Sequence, residues 1–253
     1  MKIKTAVFNG VASIEMADIA KKNVFNEQMY TELAQAIEQA MQDKQVRAIL
    51  IHGQPDFFSV GSELESLTQT DYTKQDLPLK AFIDILMQCD KPVVAAVNGM
   101  AIGAACAMLL HCDFVYASDT ANFALPFASL GLVPDLAASY LLPMKVGKLR
   151  ANEMLLLAQP FGAQDALEAG LVNTILPETE VLNYARNVAE RFNKLPPAAV
   201  RSTKRLMQGY VRPGISAALN EEMKALAEQA KGHEVKEVIT AFLEKRWPDF
   251  SKM

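Results

Sequence analysis

From Pro92 to Leu110 the chain runs 19 residues without a charge. A run of that length either crosses a bilayer or lies at the centre of a globular core. Its texture selects the second. Val93-Val94-Ala95-Ala96-Val97 is β-branched and strand-like, and Asn98-Gly99 interrupts it. Gly103-Ala104-Ala105-Cys106-Ala107 then resumes as a helix of small residues. Asp90 and Lys91 bound the run on one side, His111 and Asp113 on the other. The expectation is a buried strand, a turn and a buried helix, with no membrane insertion.

A core of that kind needs apolar material, and 51% of the 253 residues are hydrophobic against 21% charged. That balance excludes global disorder and suits one large α/β domain with a small helical extension. A net charge of -4, with no comb of lysines on any helix, gives no footprint for nucleic acid or an anionic membrane. Cys106 inside the apolar run and Cys112 just past its end read as small buried hydrophobes in a reducing compartment. His52, His111 and His233 are scattered, and no metal site can be built from them. The segment Met1 to Phe8 lacks an apolar signal core and a small-residue cleavage site, so a cytoplasmic location is expected.

Along the chain, residues 2–8 and 11–17 alternate apolar and polar around Asn9-Gly10, a hairpin signal. Asn26 is suited to cap a helix whose apolar face is Met29, Leu33, Ile37 and Met41. Strands are expected at Val46–His52, Asp113–Ala117, Asn122–Leu125 and Leu171–Leu176. Helices are expected near Leu79–Gln88, Pro134–Leu142, Val146–Leu157 and Ala163–Ala169. From Thr179 onward only helices are expected, with breaks near Pro196-Pro197 and Pro213-Gly214. The expected division is a core over residues 1–195 and a helical oligomerisation region over 196–253. Leu219, Met223 and Leu226 form an apolar stripe there that reads as surplus to one chain.

Two glycine-containing turns bear on chemistry. One is Phe58-Ser59-Val60-Gly61-Ser62-Glu63-Leu64, the other Asn98-Gly99-Met100-Ala101-Ile102-Gly103-Ala104. Each can present free backbone N–H groups at a helix start, and two N–H groups aimed at one point make an oxyanion hole. Each is equally readable as close packing. Neither matches a Walker or dinucleotide fingerprint.

These segments resemble the crotonase (enoyl-CoA hydratase/isomerase) family. Phe58 to Leu64 is similar to its pattern Phe-small-small-Gly-Ala-Asp-aliphatic. Lys91-Pro92-Val93-Val94-Ala95-Ala96-Val97-Asn98-Gly99 with Ala101-Ile102-Gly103-Ala104 is similar to its second signature. Gly131-Leu132-Val133-Pro134, Ala169-Gly170-Leu171-Val172 and Phe242-Leu243-Glu244-Lys245-Arg246-Trp247-Pro248 extend the likeness across the chain. The resemblance implies a spiral of β-β-α units with a C-terminal helical extension, assembled as a trimer or hexamer. It implies an acyl-CoA substrate, with coenzyme A as part of the substrate and no separate cofactor. It also implies oxyanion N–H groups at Ser62 and Ala104, and substrate contacts at Val60, Gly61, Leu64, Gly103, Phe127 and Leu132.

The departures from the family bear on the reaction. Where hydratases carry their two glutamates this chain has Ala107 and Phe127, neither able to move a proton. Asp135 stands where Δ3,Δ2-enoyl-CoA isomerases carry a single glutamate, which implies isomerisation of 3-enoyl-CoA to trans-2-enoyl-CoA. Its plain reading is an acid in the first turn of a helix begun by Pro134. Aspartate is also shorter than glutamate by roughly 1.5 Å. That leaves open a dehalogenase- or hydrolase-like enzyme with Asp135 as nucleophile, or an acyl-CoA-binding protein with little turnover. The loop Leu67–Pro78 is expected to help set acyl length.

Overall fold

Asn9 and Gly10 both take positive φ and close a hairpin of β1 (Ile3–Phe8) and β2 (Val11–Met16), as their sequence predicts. The computed structural model describes residues 2–63, 67, 69–74, 76–251 and 253. Beyond β2 the sheet continues in parallel through β3 (Ala48–His52), β5 (Val93–Val97), β7 (Phe114–Ser118) and β10 (Thr174–Leu176). A second sheet holds four short strands in the order β4 (Phe57–Ser59), β6 (Met100–Ile102), β8 (Asn122–Ala124) and β9 (Phe161–Gly162). From β3 to β8, consecutive strands alternate between the sheets. Each excursion of the chain therefore adds one strand to each sheet, which gives an α/β spiral.

Alternation along the strands explains the absence of charge. Ile49, Ile51, Val93, Ala95 and Val115 face the main core, while Leu50, Val94, Ala96 and Tyr116 face α7 (Val181–Glu190). A sheet buried on both faces needs apolar residues at every position. The main core is closed by α1 (Glu27–Gln42), which packs on α2 (Pro78–Gln88). Asn26 caps α1 through Oδ1, accepting from the Met29 N–H.

The uncharged run resolves into β5, β6 and a short buried helix, α3 (Ala104–Leu109). The reading of strand, turn and helix missed β6, whose length of three residues is too short to show a period. Among the described residues no helix is long and apolar enough to cross a membrane.

Two expectations need correction. The helix expected from Pro134 begins later, as α4 (Ala138–Val146), so Asp135 lies in the loop before it and not in its first turn. The next helices, α5 (Lys148–Leu156) and α6 (Ala163–Glu168), fall close to where they are expected. The break expected near Pro213-Gly214 falls just before it, at Tyr210 and Val211. After α8 (Pro197–Gly209), Pro213 sits in the first turn of α9 (Arg212–Gln229), where its missing N–H costs nothing. The stripe Leu219, Met223 and Leu226 is not surplus, because it is buried in the main core of its own chain, with α9 against α4. The chain ends in α10 (His233–Leu243).

Candidate active site

The first glycine turn leaves β4 under tight local control. Ser59 Oγ donates to the Asn23 carbonyl and accepts from the Gly61 N–H, while Asn23 Nδ2 donates to the Phe58 carbonyl. Gly61 stands at φ +80°, and a Cβ there would run into the Ile102 carbonyl oxygen and lie 3.5 Å from the Ala104 nitrogen. Only glycine combines that φ with that approach. The contact makes the peptides of Ser62 and Ala104 neighbours.

Gly103 supplies the second turn at φ 55°, ψ -123°, a conformation closed to residues with a Cβ, with open space around it. Ala104 is then the first residue of α3. Its N–H has no intrahelical acceptor, and the Ser62 N–H has no acceptor among the described residues. The flanking Phe25 N–H and Glu63 N–H are used, donating to the Gly61 and Phe25 carbonyls. Two donors are thus left free side by side at the edge of the second sheet.

Ser62 and Asp135 line one cavity of about 40 Å³, together with Phe25, Tyr30, Tyr72 and Leu77. That is room for a few waters or the reacting carbons of a small group, not for a long chain. Leu67, Thr70, Tyr72, Leu77 and Pro78 all contribute to the wall, in the segment expected to set acyl length. Ser62 Oγ lies 3.3 Å from the Tyr30 hydroxyl. Phe127 and Leu132 are buried and joined by the Leu132 N–H donating to the Phe127 carbonyl, yet neither lines this cavity. Nor do Val60, Gly61, Gly103 and Ala104, and Leu64 lies outside the described residues. Ala107, which the resemblance sets against a hydratase glutamate, is fully buried in α3.

Asp135 is 4% exposed, and among the described residues its Oδ1 has no hydrogen-bond partner. Leaving such an oxygen unpaired costs about 1–3 kcal/mol, which singles the group out. Burial, followed by the charge of Glu222, holds its carboxyl well above the usual carboxylate range. A place in the first turn of a helix would lower it, but Asp135 is not in a helix. Burial and then Asp135 likewise push up the Tyr30 phenol, and the Tyr72 phenol also rises.

The backbone beyond Asp135 is strained. Leu136 and Ala137 take φ 54° and 58°, left-handed values that cost about 1–2 kcal/mol per residue with a Cβ. His111 Nε2–H donates to the Leu136 carbonyl at 2.7 Å, which fixes its tautomer. Burial, opposed by that bond, lowers the His111 pKa to about 4, so the ring is neutral. Glu222 Oε2 accepts from the Ala137 N–H at 2.6 Å, and Oε1 accepts from the Ser139 N–H and Oγ–H at 2.9 and 2.5 Å. Sequence reasoning missed Glu222. Its signal was its place on the apolar face of α9, between Leu219 and Met223, where a carboxylate has no business unless it is bonded. Among the described residues no group of three His, Cys, Asp or Glu is close enough to hold a metal ion.

Ser62 and Asp135 thus meet at one cavity, and free N–H groups of this kind can stabilise charge that develops on a carbonyl oxygen. Known proteins share the fold. The family model described as Enoyl-CoA hydratase/isomerase matches residues 7–253. The chain belongs to that family, and is an acyl-CoA enzyme of the crotonase type. It is 32% identical to 2,3-dehydroadipyl-CoA hydratase of Escherichia coli, over 91% of this chain and 91% of that one. It is 30% identical to peroxisomal enoyl-CoA delta isomerase 3 of Mus musculus, over 93% of this chain and 76% of the relative. The crystal structure of an enoyl-CoA hydratase/isomerase from Pseudoalteromonas atlantica superposes with a TM-score of 0.94 at 35% identity, covering 99% and 100% of the two chains. A hydratase and an isomerase stand at similar distances, so identity does not divide the two activities.

Proposed function

We propose that this enzyme isomerises 3-enoyl-CoA to trans-2-enoyl-CoA with Asp135 as its one acid/base. The carboxylate takes the C2 proton of the thioester, and the C2–H electrons form the C1=C2 bond of a dienolate, conjugated with C3=C4, as the carbonyl electrons move onto the thioester oxygen. The developing oxyanion accepts hydrogen bonds from the Ser62 and Ala104 N–H groups, and Asp135 returns the proton at C4. The observation that supports the reading is the buried Asp135 carboxyl, with its Oδ1 unpaired and its pKa raised, on the cavity that Ser62 shares; the other carboxyl on that wall, Glu27, is exposed. A raised pKa brings the base closer to the acidity it must match. Water addition needs a second proton carrier, and Ala107 and Phe127 supply none. The reaction asks for nothing beyond the substrate's own coenzyme A thioester.

The test is a side-by-side assay of 3-enoyl-CoA isomerisation and 2-enoyl-CoA hydration. The expected result is turnover of the first with little of the second, and kcat/KM rising with pH through an ionisation above the ordinary carboxylate range. Efficient hydration sinks the reading.

We also propose a trimer or hexamer. The support now comes from α8 and its flanks, which leave Leu195, Leu206, Met207 and Tyr210 exposed beside an apolar groove. Light scattering at micromolar concentration checks it, and a monomer refutes it.

A further inference from the structure

Helix α4 starts without a cap of its own. Its N-cap residue is Ala137, which has no side chain to offer, and Asp135 does not turn back to serve. The free N–H groups of Ala137 and Ser139 are instead taken by Glu222, reaching in from α9 and itself buried. Both Glu222 oxygens are engaged there, and Ser139 Oγ–H adds a third donor. On the opposite side His111 holds the Leu136 carbonyl. The left-handed pair between these anchors is what separates Asp135 from the helix and lets its carboxyl face the cavity.

We propose that Glu222 is a positioning residue for Asp135: by capping α4 from another helix, it holds the Leu136–Ala137 corner and frees the Asp135 carboxyl for proton transfer. The C-terminal helices then complete the site within one chain, besides any part they play in assembly. The inference rests on the acid/base reading of Asp135. The groups facing Asp135 are Glu222 from α9, Tyr30 from α1 and Tyr72 from the wall before α2, and the exposed Glu27 of α1 lies on the same cavity. His111 and, near it, Lys145 lie on the far side of the corner. Glu222 is thus the carboxylate whose charge acts on Asp135.

The experiment compares the parent enzyme with Glu222→Gln, Ser139→Ala and Asp135→Asn, using 3-hexenoyl-CoA across a range of pH. Glutamine keeps the shape and one acceptor but loses the charge and turns N–H donors toward the corner. The expected result for Glu222→Gln is a kcat lower by about tenfold or more with KM changed less than about twofold. The acid limb of kcat/KM should also move to lower pH, because a like charge no longer resists ionisation of Asp135. A parental kcat, or a uniform loss with no movement of the limb, overturns the proposal, since a merely structural cap gives the latter. If Glu222→Gln does not fold, Ser139→Ala decides: it removes one anchor and no charge. It should lower kcat at least about threefold at constant KM, and parental kcat overturns the proposal. Asp135→Asn separates the two readings. Full activity there sinks the acid/base assignment, whereas an inactive Asp135→Asn beside an unaffected Glu222→Gln sinks only the role of Glu222.

Discussion

At the Ser62 and Ala104 turns the backbone takes its shape from glycines in the same few residues. At the Leu136–Ala137 corner beside Asp135 it is shaped by side chains 25 and 85 positions from the residues they hold. The first region places positive φ on Gly61 and Gly103, where it costs least, and presents N–H groups that only a change to proline removes. The second places positive φ on Leu136 and Ala137, where it is resisted, and His111 and Glu222 hold it there. The contrast follows from the chemistry. A donor is part of every peptide and needs only local geometry. A proton carrier needs a buried, unpaired carboxyl, and local sequence favours pairing such a group at a helix start. The surroundings must therefore prevent the ordinary outcome.

That contrast can be tested by striking each region in turn. The largest effect is expected from Asp135→Asn, which keeps shape but cannot accept a proton. Turnover should fall by about 10²–10⁴-fold while coenzyme A thioester binding, measured by calorimetry, changes little. The same variant should melt higher than the parent at pH 8. The raised carboxyl contributes stability below its unfolded pKa, and that contribution is lost as pH rises through the folded pKa. The gain should shrink toward pH 4, and a pH-independent difference would contradict a raised pKa.

Ala104→Pro comes next. Position 104 opens α3, where proline is tolerated, so the change removes a donor with little damage to the helix. The loss of one contact is expected to cost about 10²–10³ in kcat. Parental turnover in the folded variant would remove Ala104 from the site.

A stability pair follows. Gly61→Ala drives a Cβ into the Ile102 carbonyl at positive φ and should cost about 2 kcal/mol or more. Ala137→Gly exchanges relief of strain for chain entropy and should change stability by less than about 1 kcal/mol. Equal effects in chemical denaturation would mean that the two regions are not built differently. The smallest effect is expected for Ser62→Ala. It loses the contact with Tyr30 but keeps the N–H, so kcat should stay within about threefold. A larger fall would mean that the hydroxyl takes part.

Much of this was legible in the sequence. Asn9-Gly10 closes its hairpin, Asn26 caps its helix, and the uncharged run from Pro92 gives the expected strand buried on both faces, β5, and a buried helix. The glycine turns around Ser62 and Ala104 were marked by residue type alone. Each of these is decided by neighbours a few positions apart, whose propensities and periods are written in order along the chain. The start of α4 was not legible, because Pro134-Asp135 is an ordinary helix opening until Glu222 takes the N–H groups that Asp135 would have served. The pKa of Asp135 was not legible for the same reason. Burial and a like charge from α9 exist only once distant segments have packed, and at that range packing overrides local preference.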